Sequence, residues 1–202
     1  MKLLVLLFCA MAATAGDTLE AFGLKWSVPA AADWKVEKNG DAEILRMVNA
    51  RGPVAGAPRR PTQFALADTA AYQRVTLEAD VKRLGSSLII VFAYQDAAHY
   101  NYAHLSSDKA SKQPVHNGVF HVFGGERVRI SPIAGPESLP SAEEWAHVKL
   151  THDSATGIVG VTVNGAAMPS LDAVDLSLGA GKVGLGSFGE TALFKNVKIS
   201  GK

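Results

Sequence analysis

The chain has 202 residues and a formal net charge of +1, with 48% hydrophobic and 19% charged residues. This length fits one domain with a full core, preceded at most by a short leader. The near-neutral charge lacks the basic excess of a nucleic-acid-binding protein, and no charge run suggests attachment to a membrane surface. We therefore expect no nucleic acid and no membrane anchor among its partners.

Residues 1–15 have the pattern of a cleaved signal peptide. Lys2 is its positive end, an apolar run follows, and Ala13-Thr14-Ala15 supplies the small residues of a cleavage site; a position after Ala21 fits less well. The apolar run is far shorter than the roughly 20 residues that a membrane-spanning helix needs. The sequence therefore predicts a secreted or periplasmic protein.

Cys9 is the single cysteine, and it lies within this leader. Attachment of a lipid to Cys9 would need a small residue before it, but Phe8 stands there. After cleavage the chain has no thiol for a disulfide, a metal site or a nucleophile. Its stability must therefore come from burial in the core.

The remaining chain has almost no helical periodicity and is divided by Gly, Pro, Asn and Asp into short β-type segments. Thr76 to Val81 alternates apolar and polar residues, whereas Leu88 to Tyr94 is apolar on both faces, as in a central strand that is covered on both sides. Asn164-Gly165 predicts a type I′ hairpin turn, because both residues tolerate positive φ. Further strands are expected at Tyr100 to Leu105, Val119 to Phe123, Val128 to Ile130, Trp145 to Thr151, Ile158 to Val163, Gly181 to Phe188 and Ala192 to Ser200.

Together these segments resemble the concanavalin A-like lectin and glucanase sandwich, the jelly roll that LamG-type modules also use. The resemblance rests on Trp34-Lys-Val-Glu with Ile44-Leu-Arg46, on Trp145-Ala-His-Val-Lys-Leu, on the hairpin at Asn164-Gly165 and on the closing GKVGLGSFGETALFKNVKIS. It implies an all-β protein, with one two-sheet antiparallel β-sandwich over residues 16–202. The nearest enzymes with this fold are the 3-keto-disaccharide hydrolases, family-16-like glycosidases and sandwich polysaccharide lyases.

The catalytic motifs of two of these enzyme groups are incomplete in this chain. Family-16 glucanases carry Glu-x-Asp-x-x-Glu on one strand; Glu78-Ala79-Asp80 matches the first half, but Arg83 stands in place of the last glutamate. A retaining mechanism needs two carboxyl groups about 5.5 Å apart. The Gln-Ile-His strand of sandwich alginate lyases is absent from the sequence.

Function is expected within residues 92–129, which hold four of the six histidines among tyrosines and arginines. Strand alternation puts the two tyrosines and the histidine of Tyr100-Asn-Tyr-Ala-His104 on one face, and it does the same for Arg127 and Arg129. If the strands are neighbours, these faces form a concave wall for a glycan, since aromatic rings stack on sugars and guanidinium groups bind carboxylates. The predicted substrate-binding residues are Tyr100, Tyr102, His104, His116, Asn117, His121, Arg127 and Arg129.

Three functions are compatible with this wall. The first is a glycan-binding protein without catalysis. The second is a carbohydrate-active enzyme, either a 3-keto-glycoside hydrolase or a polysaccharide lyase, with His104 or Tyr102 as base and Arg129 as electrostatic clamp. The third is an interaction protein of the cell envelope without a sugar ligand. Each of these histidines and tyrosines taken singly could also be an ordinary surface or core residue.

We expect no catalytic metal. His99 and His104 are five residues apart, as are His116 and His121, and an odd spacing on a strand places two side chains on opposite faces. A structural calcium ion is common in sandwiches of this class, and its candidate ligands are Asp41, Glu43 and Glu190.

Overall fold

The structure is a computed structural model, which describes residues 16–40, 42–52, 54–107, 116–133, 135–142 and 144–202. The predicted signal peptide and the calcium candidate Asp41 therefore lie outside the described residues. No helix in the described ranges is long and apolar enough to cross a membrane. The strands are β1 Asp17–Ala21, β2 Leu24–Val28, β3 Trp34–Asn39, β4 Ala42–Met47, β5 Gln63–Ala67, β6 Arg74–Arg83, β7 Ser87–Asp96, β8 His99–Ser106, β9 Gly118–Phe123, β10 Glu126–Arg129, β11 Ala146–Asp153, β12 Ile158–Val163, β13 Ala166–Ala167, β14 Ala173–Val174, β15 Lys182–Ser187 and β16 Ala192–Gly201.

The strands form two antiparallel sheets. Sheet A has the order β1-β2-β5-β15-β7-β8-β9-β10, and sheet B has the order β13-β12-β11-β6-β16-β4-β3, with β14 paired to β12. The predicted all-β, two-sheet antiparallel sandwich is thus confirmed. The Asn164-Gly165 turn has positive φ at both residues, 51° and 79°, as expected for a hairpin turn of this composition.

The main core lies between the two sheets and follows the alternation of the strands. In β6, Leu77, Ala79 and Val81 face the core, while the polar residues between them face outward on sheet B. From sheet A, the core receives Ile90 of β7 and Ala103 of β8. Burial of apolar area of this kind contributes roughly 25 cal/mol per Å², which makes this layer the main source of stability in a chain without disulfides.

Sheet A is also apolar on its outer face, and this second layer distinguishes it from sheet B. It contains residues of β5, β7, β8 and β9 that alternate with those of the main core: Phe64, Ile89, Val91, Tyr100, Tyr102, Phe120 and Val122, with Leu66, Tyr94 and Phe188 packed against them. The prediction that β7 is covered on both faces is confirmed, because Ser87 to Ala93 are all buried.

A β-bulge in β7 determines which rings reach this outer layer. The pairing of β7 with β8 shifts between Phe92 and Asp96, and Ala93 has a positive φ of 49°. Phe92 and Ala93 both belong to the main core, so Tyr94 lies on the outer face with Phe64. A bulge inserts one extra residue and redirects the side chains that follow.

Two glycines of β15 leave room for the outer layer. Gly184 and Gly186 pair with Leu66 and Phe64 of β5, on the outer face. A Cβ atom on Gly186 would lie 2.5 Å from the carbonyl oxygen of Gln63 and 2.6 Å from the Phe64 side chain. The strand can therefore pass under the aromatic layer only without side chains at these positions.

The connection between β4 and β5, residues 48–62, runs to this outer face and is anchored at both ends. At its start, the Arg51 guanidinium pairs with the buried carboxylate of Asp33, which also accepts a hydrogen bond from Gln63 Nε2 at 3.0 Å. At its end, the Tyr100 hydroxyl donates to the Pro61 carbonyl, and Arg60 donates to the Gly125 carbonyl at 3.1 Å.

We predict that the Asp33 carboxylate stabilises the fold in a pH-dependent way. The Arg51 hydrogen bonds hold the pKa of Asp33 below its usual value of 3.8. The stabilisation is therefore complete above pH 3.8 and disappears as the pH falls through the lowered pKa. Asp33→Asn should lower the free energy of unfolding by about 2 kcal/mol at neutral pH, as expected for hydrogen bonds to a charged group.

Urea unfolding at neutral and strongly acidic pH tests this prediction. The difference between wild type and Asp33→Asn should shrink in acid. Asp68→Asn is the control, since its exposed pair with Lys182, at 3.4 Å, is of a kind worth at most about 1 kcal/mol. A difference between wild type and Asp33→Asn that is equal at both pH values would contradict the account.

Candidate functional site

The predicted polar wall coincides in part with the outer face of sheet A. Tyr102 pairs with Phe120 across β8 and β9, and Phe120 pairs with Arg129 across β9 and β10. Residues paired in an antiparallel ladder point to the same face. Tyr100, Tyr102, His104, Arg127 and Arg129 therefore share the outer face, as the strand alternation predicted.

Six residues come together at one end of this face, and we call them the arginine–aromatic cluster: Arg59, Tyr102, His104, His116, Arg127 and Phe188. The His104 ring lies 5.6 Å from the ring of His116, 6.1 Å from Tyr102 and 6.3 Å from Phe188, measured between centroids. Four of the eight predicted binding residues thus belong to the cluster.

The two guanidinium groups of the cluster share one aromatic ring. The central carbons of Arg127 and Arg59 lie 5.0 Å and 5.6 Å from the centroid of Phe188, and Arg127 also lies 5.1 Å from the centroid of Phe120. Arg127 Nη1 donates to the Tyr102 hydroxyl at 3.0 Å. Cation–π contacts at such distances contribute about 0.5–2 kcal/mol each, and together they fix the orientation of the Arg127 fork.

His104 is the least satisfied polar group of the cluster. It is 3% exposed, and neither ring nitrogen has a hydrogen-bond partner among the described residues. Burial, assisted by His116 and the two arginines, lowers the pKa of His104 from 6.5 to about 3. The ring is therefore neutral at physiological pH, with one nitrogen able to donate and the other able to accept a hydrogen bond.

Tyr100 is next to the cluster, and its ring centroid lies 6.2 Å from that of Tyr102. It lines a cleft of about 230 Å³ whose wall is mostly apolar and includes Phe64, Leu66 and Tyr94. Burial raises the pKa of both Tyr100 and Tyr102, so both phenols stay protonated at neutral pH. Tyr100 is a wall residue of this cleft and an anchor for the β4–β5 connection.

His121 does not share the wall with His104, and the predicted grouping is wrong for this residue. It pairs with Asn101 across β8 and β9, so it points to the opposite face of sheet A. There, its Nδ1 lies 2.8 Å from Asn101 Oδ1 and 3.1 Å from Asp175 Oδ2. The two histidines are separated by the thickness of the sheet.

Arg129 and Asn117 lie near the cluster but are engaged by the fold. Arg129 donates to the carbonyls of Ser131, Asn117 and Ile133, and its side chain crosses Gly118, where a Cβ atom would lie 2.4 Å from Nε. Asn117 is buried, and its amide oxygen accepts hydrogen bonds from the Ser106 backbone and the Ser138 hydroxyl. The arrangement of Arg129 is that of a structural clamp on backbone.

Three residues of this face were missed by sequence reasoning: Arg59, Phe188 and Tyr94. Arg59 lies in a Gly- and Pro-rich connection, and Phe188 follows a glycine-rich strand; neither context signals a site. Tyr94 reaches the outer face through the bulge at Ala93, which no alternation rule predicts. A usable signal was the Arg59-Arg60 pair next to Pro61.

A larger cleft, of about 720 Å³, lies on the outer face of sheet B and includes the incomplete glucanase motif. Its charged groups pair with one another across strands: Glu78 with Lys149 at 3.3 Å, and Asp80 with His147 at 2.8 Å. Such ladders are typical of a solvated sheet face. Arg83 donates to the carbonyls of Pro140 and Gly85, so it supplies no chemistry there.

The two calcium candidates within the described residues have other partners. Glu43 accepts a hydrogen bond from the Phe22 backbone at 2.6 Å, whereas Glu190 accepts bonds from Ser86 and Ser87 at the β6–β7 turn. The described residues contain no group of three or more His, Cys, Asp or Glu side chains that could hold a metal ion.

We predict that His104 makes stability depend on pH in the acidic range. The unfolded chain protonates this histidine below pH 6.5, whereas the folded chain does so only near pH 3. Stability therefore falls as the pH falls through this window, by about 1.4 kcal/mol per pH unit. His104→Leu should remove this dependence and should not destabilise at neutral pH, since it removes a buried polar group without a partner.

Urea unfolding of wild type and His104→Leu at about pH 7 and about pH 4.5 checks this expectation, with the half-exposed His99→Gln as control. An equal loss of stability in acid for wild type and His104→Leu would refute it.

The fold of this protein was compared with those of known proteins. No protein-family model matches the sequence, and no curated protein matches it either. The fold is similar to that of the carbohydrate-binding module CBM66 from Bacillus subtilis, with a TM-score of 0.60 and 16% identity over 87% of this chain and 94% of that chain.

Two further structures agree with this similarity. A Parabacteroides distasonis protein, provisionally assigned as a glycosyl hydrolase, has a TM-score of 0.57 and 15% identity over 85% of this chain and 91% of its own. A Bacillus subtilis protein with a galectin-like fold has a TM-score of 0.52 and 14% identity, covering 83% and 86%. At such identities the likeness concerns the fold alone, and it agrees with the predicted two-sheet jelly-roll sandwich.

Proposed function

We propose that this protein binds a glycan on the outer face of sheet A, at the arginine–aromatic cluster and the neighbouring cleft. The observation that carries the proposal is the contrast between the two outer faces of the sandwich. Sheet B has a solvated face of paired charges, whereas sheet A has an aromatic layer with part-exposed rings of Tyr94 and Phe188. Aromatic faces beside a few directed polar groups suit the apolar face and the hydroxyls of a sugar.

The fold is compatible with this proposal. The chain shares its architecture with a module whose name describes carbohydrate binding. Fold alone does not determine function, so the proposal rests on the outer face of sheet A. The cluster offers a sugar those N–H groups of Arg127 that its hydrogen bond to Tyr102 leaves without an acceptor among the described residues.

Binding without turnover is better supported than catalysis at this site. The candidate bases, His104 and Tyr102, are 3% and 0% exposed. A general base must come within hydrogen-bond reach of the proton that it removes. Arg129, the candidate clamp, is occupied by three backbone carbonyls.

We also propose that the protein is exported, on the pattern of residues 1–15. Expression of the full chain in a bacterial host should yield a periplasmic or secreted protein that begins at Gly16. Mass spectrometry of the purified protein measures this directly. A chain that retains Lys2 in the cytoplasm would contradict export.

Binding to a panel of neutral and acidic polysaccharides tests the proposed site. Phe188→Ala removes a ring and its two cation–π contacts, and Tyr94→Ala removes a ring next to the cleft. Stacking of a sugar on a ring contributes on the order of 1 kcal/mol, so either variant should weaken binding about 5- to 10-fold. Affinity electrophoresis or calorimetry measures the change.

His147→Ala, on the outer face of sheet B, is the control and should bind as wild type does. Release of reducing ends and formation of unsaturated products should stay at background. Turnover would revive the enzyme alternative, whereas an absence of binding to every glycan would favour an interaction protein and would sink the proposal.

A further inference from the structure

The arginines of this protein fall into two groups by their partners. The described residues include all eight arginines of the sequence. Arg46, Arg51 and Arg74 pair with carboxylates, and Arg60, Arg83 and Arg129 donate to backbone carbonyls. Arg59 and Arg127 do neither: within the described ranges, no carboxylate lies within 4.0 Å of them and no carbonyl accepts from them.

These two guanidinium groups are also held against the same aromatic ring. Both lie against the Phe188 ring, over a layer that is apolar and buried. Like charges that meet over a surface of low polarity repel one another, and a bound anion would relieve that repulsion.

The free donors have the geometry that an oxyanion requires. Arg127 uses Nη1 for Tyr102, which fixes the plane of the fork, and its remaining N–H groups have no acceptor among the described residues. A planar fork of this kind binds carboxylate or sulfate through two parallel hydrogen bonds. The part-exposed ring of Phe188 can pack against the sugar ring that carries the anion.

We infer that the ligand of this site is an acidic glycan, whose carboxylate or sulfate group is held by Arg127 and Arg59. This inference rests on the proposed glycan site and adds the charge of the ligand. The same chemistry serves a uronic acid and a sulfated sugar, so the two sources must be separated by experiment. A neutral polysaccharide would offer the two guanidinium groups only uncharged hydroxyl acceptors, to which hydrogen bonds are weaker than to an ionised group.

The test uses pairs of polymers that differ only in their anion. Polygalacturonate is compared with the same polymer after methyl esterification, and dextran sulfate is compared with dextran. The full, processed protein should bind at least one charged member about tenfold or more tightly than its neutral counterpart, since hydrogen bonds to charged groups contribute roughly 1.5–3 kcal/mol. Binding should weaken as salt is added.

Substitutions then assign the anion to these residues. Arg127→Gln should reduce the preference for the charged polymer about tenfold, and Arg127→Lys should recover only part of it, because an ammonium group lacks the fork. Arg59→Gln is a second variant, and since Arg59 has no hydrogen bond to any described residue, this substitution should leave the fold intact. Arg74→Gln, which breaks an exposed ion pair on sheet B, is the matched control.

The outcomes separate this inference from the proposed function. Preference for polygalacturonate or for dextran sulfate supports the inference and identifies the anion. Equal binding of charged and neutral polymers, lost in Phe188→Ala but kept in Arg127→Gln and Arg59→Gln, overturns the acidic ligand and retains the glycan site. Binding to no polymer, or binding that only Arg74→Gln weakens, overturns both.

Discussion

Sheet A must be covered on both of its faces, and most of the unusual features of this protein follow from that constraint. Its central strand β7 is buried on the inner and the outer side from Ser87 to Ala93. Sheet B covers the inner side. Within the described residues, the outer side is covered by the sheet's own aromatic side chains and by the connection between β4 and β5. The aromatic layer, the anchors at Asp33 and Tyr100, and the arginines over Phe188 are all parts of this second cover.

A protein face covered by arginines and aromatic rings differs in polarity from one covered by aliphatic residues. Guanidinium groups can lie flat on aromatic rings and still present N–H donors to solvent. The outer layer thus excludes water from Ile89 and Val91 and yet keeps polar groups at its surface. Among the described residues of this cover, both ring nitrogens of His104 are buried without a hydrogen-bond partner, and such a group lowers stability.

The fold could be predicted from sequence because its longer strands carry strong patterns. The alternation of Leu77, Ala79 and Val81 and the two-sided apolar run of β7 identify a half-buried and a fully buried strand. The strands β1, β2 and β5, of five residues each, were not predicted. The predicted strand Val128 to Ile130 begins earlier in the structure, at Glu126, because the turn is formed by Gly124 and Gly125.

For the candidate site, alternation within β8 correctly predicted the shared face of Tyr100, Tyr102 and His104. It could not give the face of His121, which depends on the register between β8 and β9. Arg59 and Phe188 join the cluster only through tertiary packing.

The bulge at Ala93 has a consequence for how this surface can change. Before the bulge, the even-numbered residues of β7 point into the main core. Tyr94 is also even-numbered, but it points to the outer layer because the bulge inserts one extra residue before it. A gain or loss of a single residue near this point would exchange residues between the interior and the outer face of sheet A along the rest of the strand. The composition of that surface is therefore encoded partly in backbone length, so insertions and deletions can remodel it in a single step that no substitution reproduces.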